Sequence, residues 1–546
     1  MAILIIKDIR LPITEDSVSA TEFAHKKLEK IFGPGFVTGT RIYKKSVDTR
    51  HKNNITCVYS VAAECAAMPD SEILEKYGIT PAADEEPAVE YGDRSLAAPP
   101  LVVGNGPAGM FCALMLAENG YAPIVIEKGD NVQKRKEAVK RFYRTGLLDV
   151  CSNIQNGAGG AGTFSDGKLV TRVNDSRCRY VLKRFVENGA PESVLTSAKP
   201  HIGTDRLTVT VGNINRLIEK RGGKILYRTS LLGFVRDRNG LITAVRTTGG
   251  EIECGVVILA TGNSAGDIYG NLGREGIKLT EKPLSVGLRI EHLRSETERS
   301  VFGQEILKKA EKDQKLRERL GHAEYAMSYR ENGRGVYTFC MCPGGEVIAG
   351  SSEENGIVTN GMSMYARNGR NSNCAVCVSV MPQDVREFGS TMEFCRSIER
   401  AAYRLGGGGY RAPVETVADF LSGKEKGLSA SKKIEPTYMG GNGNIAYAPL
   451  NRLFPSFVND MLRKGLRAFG GKLECFASGD AVLTAPETRT SSPYRIERLE
   501  DGSSADCENL YPCGEGAGYS GGITSSAVDG IEAALNVMKK YKPRGR

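Results

Sequence analysis

Apolar positions in this chain follow two different periods. A short apolar run at 101–103 stops at Gly104, and glycines recur at 106 and 109. Small and apolar residues then fill 107–118 at helical density, and a second apolar run at 123–126 ends on Glu127. That order predicts strand, tight turn, helix and parallel strand. Alternation at 3–9 and 55–65 predicts strands, and residues 19–32 carry helical periodicity. Further on, 176–188 and 206–221 read as helices, and 256–259 as a buried strand. Residues 224–227, 231–236 and 242–247 read as strands of a small covering sheet. The segment 304–320 reads as a solvated helix of opposite-charge neighbours.

The glycines of the 101–127 unit have separate tasks. Gly104 allows the chain to turn sharply out of the strand. Gly106 removes the side chain that would block a pyrophosphate, and Gly109 lets the helix lie close to the sheet. Phosphates would then meet backbone N–H groups at the positive end of a helix. Glu127 stands where a carboxylate accepts hydrogen bonds from a ribose diol. A lone glycine triplet is a weak signal; in this order and spacing, with the closing acid, it predicts a dinucleotide site.

The other end of the chain narrows the choice. Residues 510–539 run from a short strand through Gly514-Glu515 to Gly521-Gly522-Ile523-Thr524 and a closing helix. This resembles the last segment of FAD-dependent enzymes of the glutathione-reductase class. There a carboxylate after the strand holds the ribityl or phosphate region, and the helix N-terminus faces the flavin pyrimidine. That class usually has Gly-Asp where this chain has Gly-Glu, one methylene longer, and the role is expected to survive. Val256-Val257-Ile258-Leu259-Ala260-Thr261-Gly262 is similar to the strand that returns to the cofactor between these two elements. The segment 155–168, Gly287–His292, Tyr337–Gly345 and Glu487–Pro493 resemble a family of bacterial FAD-dependent dehydrogenases over almost the whole chain.

The resemblance implies an α/β fold. A Rossmann-type FAD-binding domain (98–280, closed by 495–546) would carry an inserted α+β substrate or cap domain (281–494) and a small N-terminal α/β module (1–66). An acidic linker (67–97) would join module and domain. It implies non-covalent FAD, with Gly104, Gly106, Pro107, Ala108, Gly109, Glu127, Lys128 and Arg135 on the adenosine and pyrophosphate side. Gly159, Gly160, Ala161, Thr163, Ser165 and Asp166 would lie beside the isoalloxazine, Thr261 and Gly262 at the returning strand. Gly514, Glu515, Gly522, Ile523 and Thr524 would close the site. The implied activity is hydride or electron-pair transfer between FAD and a small-molecule substrate, with NAD(P)H as a candidate electron donor. No second strand–glycine–helix unit is found, because no apolar strand precedes Gly406–Gly409 and no helix pattern follows. Any nicotinamide is therefore expected at the flavin itself. Two further readings stay open: a flavin monooxygenase, and a flavoprotein whose basic N-terminal module selects a tRNA or protein partner.

Composition trims these classes. Glycine supplies 64 of 546 residues, above the usual share of about 7%, which suits close backbone approaches to a cofactor. A net charge of +9 fits an anionic ligand but lacks the concentrated basic field of a nucleic-acid binder. The cluster Arg41, Lys44, Lys45, Arg50, His51 and Lys52 reads first as a solvated face or a match for the acidic linker. No apolar run nears the ~20 residues that span a bilayer, and the apolar start is too short for a signal peptide. Fourteen scattered cysteines read as reduced thiols of a cytoplasmic protein.

No zinc-like ligand spacing is found. Cys374 and Cys377 have redox spacing but sit in an apolar strand pattern, which favours buried structural thiols. Cys340 and Cys342 precede a Pro-Gly-Gly turn, so a flavin-coupled thiol pair stays open as the lesser alternative. Arg289 and His292 are candidates for orienting or protonating a substrate anion, and equally for a strand packed into the sheet; Arg489 is a candidate for contacting the flavin or a carboxylate substrate. Which residue is catalytic, which substrate is used and what oligomer forms are left open by the residues.

Overall fold

Residues 100–103 are apolar on every position, as a strand buried on both faces requires, and they form the centre of a five-stranded parallel sheet. The computed structural model describes residues 2–52, 54–83, 86–441 and 443–543. The sheet order is Leu510–Pro512, Val256–Leu259, Pro100–Val103, Ile124–Ile126, Lys224–Leu226. The last of these corrects a sequence expectation. Residues 224–226 pair in parallel with Ile124–Ile126 and so extend the main sheet, not the small covering one. Their neighbours 231–236, 242–247 and 250–253 do form a separate three-stranded antiparallel sheet.

Glycine decides how tightly the first helix sits. Gly104 turns with φ of +100°, and a Cβ at Gly109 would collide with the Gly104 carbonyl oxygen. Helix Pro107–Glu118 therefore lies directly on the strand end, and helix Ile523–Lys540 packs against it.

Residues 281–494 carry a seven-stranded sheet, ordered Ser328–Glu331, Arg334–Cys342, Asn371–Val380, Leu284–Leu293, Val482–Glu487, Ala412–Thr416, Ile445–Tyr447. It is antiparallel apart from its last pair. At the two ends of this region, Leu279–Glu281 pairs with Tyr494–Ile496. These segments, 88–173, 202–294 and 326–546, belong to one compact unit.

The other unit comprises 1–87, 174–201 and 295–325. Its four-stranded antiparallel sheet runs Val37–Asp48, Thr56–Cys65, Ala2–Pro12, Ile79–Pro81. Helix Ser17–Phe32 covers it, started by Asp16, whose carboxylate accepts from the amides of Val18 and Ser19. The strand 37–48 was not evident from a segment so rich in Lys and Thr. Part of the acidic 67–97 stretch is not linker: helix Ser71–Lys76 leads into the strand that pairs with Ala2–Pro12. Asp84 and Glu85 lie outside the described residues. Helix Arg177–Glu187 groups here, unlike its expected place in the cofactor domain. The charged 304–320 segment is two helices, Gln304–Lys312 and Gln314–Leu320, broken where Asp313 caps the second.

In the larger unit, the wholly buried Arg135 holds an irregular loop. Its guanidinium donates to the carbonyls of Asn153 (2.8 Å), Ile154 (3.0 Å), Gly157 (3.2 Å) and Ala158 (2.7 Å). Arg135→Met should lower stability by about 3–5 kcal/mol, because the Asn153 and Ile154 carbonyls lose their donor and those of Gly157 and Ala158 keep only the Gly160 amide and the Thr163 hydroxyl. Lysine should not rescue it, since a point charge cannot reproduce the planar fork. An unfolding free energy from urea denaturation within about 1 kcal/mol of wild type would show the loop to be held by something else.

Candidate flavin site

The strand ends at 103 and 259 and the chain after 512 open onto one cavity of ≈ 390 Å³, within the range of small-molecule sites. Gly104, Gly106, Pro107 and Ala108 form one wall. The N-cap of that helix is Gly106, which brings no side chain to its first-turn amides, so those N–H groups are left for an anion. Glu127 and Lys128 line the adjacent wall, where Lys128 pairs with Asp267 at 3.0 Å. Both Glu127 oxygens already hold backbone amides, of Asn105 at 2.9 Å and Gly129 at 2.8 Å. Each oxygen keeps a second lone pair for a hydroxyl donor.

Gly160, Ala161, Ser165 and Asp166 face the same cavity, as do Thr261, Gly262, Gly514, Glu515, Gly522 and Ile523. Five other sequence candidates do not line it. Gly109 sits under the helix, as above. Arg135 is spent on the 153–158 loop. Gly159 donates its amide to the Asn105 carbonyl at 2.6 Å. Thr163 binds the Ala158 carbonyl at 3.1 Å, and Thr524 binds the Leu169 carbonyl at 2.8 Å. These five shape the walls from behind.

Region 281–494 closes the cavity with Phe339, Cys340 and Glu487 from the seven-stranded sheet, Asn360 from a separate two-stranded sheet, and Arg489 and Thr490 from the loop after strand Val482–Glu487. Its buried cations are already neutralised. Arg289 forms a bidentate pair with Glu487 (2.9 and 3.1 Å) and donates also to Asn360, Asn373 and the Cys340 carbonyl. The expectation that Arg289 orients a substrate anion is thereby corrected. Arg489 reaches the cavity but is held by Glu399 at 2.8 Å and Glu353 at 3.3 Å. His292 is buried against Phe476, and burial lowers its pKa to about 3, so it stays neutral and away from the cavity. Asp166 is bound by Arg367 and Ser363, with Lys168 at 3.9 Å on the cavity side.

Sequence reasoning missed Gln155, Asn263 and Ser264 in loops and Asn360 on the short strand Thr359–Met362, since single amides and hydroxyls leave no periodic signal. Gln155 binds Ser264 through its oxygen at 3.1 Å. Its amide nitrogen is buried on the cavity wall without a partner. Asn263 donates to Glu515 at 3.1 Å and to the Arg489 carbonyl at 3.2 Å. Burial raises the Glu515 pKa to about 7 against the opposing pull of Asn263 and Lys282. Among the described residues no group of His, Cys, Asp or Glu is placed to hold a metal, and no helix is long and apolar enough to cross a membrane.

A family model described as "FAD-dependent protein, C-terminal domain-like" matches residues 283–490. A protein of uncharacterized function from Clostridium beijerinckii (strain ATCC 51743 / NCIMB 8052) is 40% identical over 508 residues, 92% of each chain. The chain belongs to this family of FAD-dependent proteins. Its cofactor is FAD. The cavity suits that cofactor: a Cβ at Gly106 would meet only Gly160 Cα at 3.9 Å, and at Gly262 or Gly521 nothing within 4 Å. Solved structures similar to this flavoprotein include CtdE in complex with FAD, at 12% identity and TM-score 0.32, covering 81% of this chain and 84% of that one. Glycerol-3-phosphate dehydrogenase from Bacillus halodurans complexed with FAD has 11% identity, TM-score 0.35 and coverages of 83% and 67%.

A carboxyl whose folded pKa lies above its unfolded value stabilises fully below the unfolded value and loses that contribution as pH rises through the folded one. For Glu515 the window runs from the ordinary 4.5 to about 7. The apoprotein of Glu515→Gln should therefore gain on wild type across that range, by at most about 3 kcal/mol. Thermal unfolding of both proteins from pH 4.5 to 8 measures this, and parallel curves would mean that Glu515 titrates normally.

Proposed function

We propose that this cavity binds FAD non-covalently and passes a hydride or electron pair between the flavin and a small-molecule substrate. The observation that carries the reading is the meeting of three glycine segments remote in sequence, 104–109, 157–166 and 514–524, on one cavity at the ends of parallel strands. When bound, FAD supplies the electron chemistry. The amides at the start of helix Pro107–Glu118 receive the pyrophosphate, and Glu127 accepts from the ribose hydroxyls. The N-terminus of helix Ile523–Lys540, with Gly522 and Ile523 on the cavity, stabilises negative charge on the flavin pyrimidine. Glu515, poised near neutrality, holds or releases a proton beside Asn263.

Residues 281–494 act as the substrate cap. Phe339 and Thr490 from this region line the side where substrate enters, and Phe339 helps to exclude water. If NAD(P)H is the electron donor, it docks on that same side. With Arg289 and Arg489 matched by carboxylates, Lys168, which lines the cavity from the glycine segment beside Asp166, is the contact offered to a substrate anion. Residues 1–66 are a module outside the redox chemistry. The free thiols fit a cytoplasmic setting.

The purified protein should be yellow and release FAD on acid treatment. Glu127→Ala should raise the Kd for FAD roughly tenfold to a hundredfold, the scale of losing charge-assisted hydrogen bonds. A colourless protein that takes up no FAD on titration would sink the reading, and an unchanged Kd would remove Glu127 from the ribose. Anaerobic screening for compounds that bleach the flavin would then name the substrate.

Arg489 carries its own expectation. Arg489→Met leaves the buried Glu399 carboxylate without its arginine, whereas Glu353 keeps Arg396, so the loss should appear as about 3–5 kcal/mol of stability. Turnover lost at full stability would instead place Arg489 on the substrate.

A further inference from the structure

Strand Arg334–Cys342 ends irregularly at the cavity. Its register with Asn371–Val380 jumps between Phe339 and Cys342, and Cys340 adopts a left-handed φ of 45°. Such a conformation is costly for a residue with a Cβ and persists only where its surroundings hold it. Here the Cys340 carbonyl is held by the buried Arg289 at 3.2 Å and by the Cys342 thiol at 3.4 Å. The kink turns Cys340 onto the cavity wall, half-buried, while Cys342 lies wholly buried behind it. Two residues of regular strand rise by about 6.6–6.8 Å, the outer limit for Cα atoms bridged by a disulfide. A left-handed kink shortens that span.

The two thiols also differ in charge preference. Burial pushes the thiols of Cys112, Cys254, Cys377, Cys395 and Cys513 up. Cys340 moves the other way, because the neighbouring Cys342 side chain and the positive charge of Lys168 and Arg289 favour its thiolate, against burial and Asp166. Cys342 rises correspondingly and keeps its proton. An accessible thiolate beside a protonated thiol is the arrangement of an attacking and a resolving cysteine.

We propose that Cys340 and Cys342 form a dithiol–disulfide couple on the wall of the cofactor cavity, with Cys340 as the attacking thiolate and Cys342 as its partner. The couple exchanges two electrons with FAD, and to that extent it rests on the cavity being the FAD site. In the oxidative direction an S–S bond forms between Cys340 and Cys342. The Cys342 S–H bond breaks, its proton passes to the reduced flavin, and the two electrons given up by the sulfurs reduce FAD to FADH⁻. One negative charge and one proton stand on each side. The reverse step opens the disulfide and regenerates oxidised FAD, so the protein stores a second electron pair beside its flavin.

Two measurements on the full chain test this. Apoprotein and holoprotein are treated with diamide, alkylated and digested, and the peptide spanning 340–342 is weighed. The couple predicts loss of two hydrogens in that peptide, with both sulfurs protected and the other cysteines alkylated. Anaerobic dithionite titration of the diamide-oxidised holoprotein should take about four electrons per flavin in wild type and about two in Cys342→Ser. Alkylation of both Cys340 and Cys342 after diamide would overturn the couple, and needs no variant that folds. A linked peptide with only about two electrons per flavin would overturn exchange with FAD. Failure to take up FAD would instead sink the cavity reading, and the peptide mass would still decide whether the couple exists.

Discussion

The buried guanidinium of Arg135 is the contact on which the cavity depends. A glycine-rich loop has few side chains with which to hold itself, and each of its carbonyls needs a donor once water is excluded. Arg135 provides donors to four of them at once, from a helix that the same loop packs against. A Cβ at Gly157 would meet the Arg135 side chain. The cation and the glycine therefore require each other. With that loop in place, Gly160 comes against Gly106 and two backbone segments face one space.

Positive charge in the larger unit is distributed by the same logic. Arg289 and Arg489 are too deep to remain unpaired, and each is matched by carboxylates from other strands and helices. That neutralisation frees the cavity from a strong fixed field on the side of the seven-stranded sheet. It leaves Lys168, Glu515 and the helix N-termini to set the local potential. Glu515 feels burial more than any neighbouring cation, so its charge follows pH in the range where most two-electron flavin chemistry also moves protons.

Much of this was legible from residue order, and part of it was not. The βαβ unit at 101–127 announces itself because each glycine there answers a local steric demand, which residue type alone can satisfy. The strands at 256–259 and 510–512 read from unbroken apolar runs, and the kink after Asp313 left only a single capping acid as its sign.

What the residues by themselves determined is the βαβ unit at 101–127, the glycine turns and the kind of ligand those turns admit, since these follow from φ, period and side-chain size. Partners across the chain were decided only by the tertiary structure. Whether Arg135 and Arg489 meet a cofactor, or a carbonyl cage and two carboxylates, depends on what lies within a few ångströms, and sequence distance carries no trace of it. The same holds for residues 224–226, whose local pattern suits either sheet and whose place was settled by the open edge beside Ile124–Ile126.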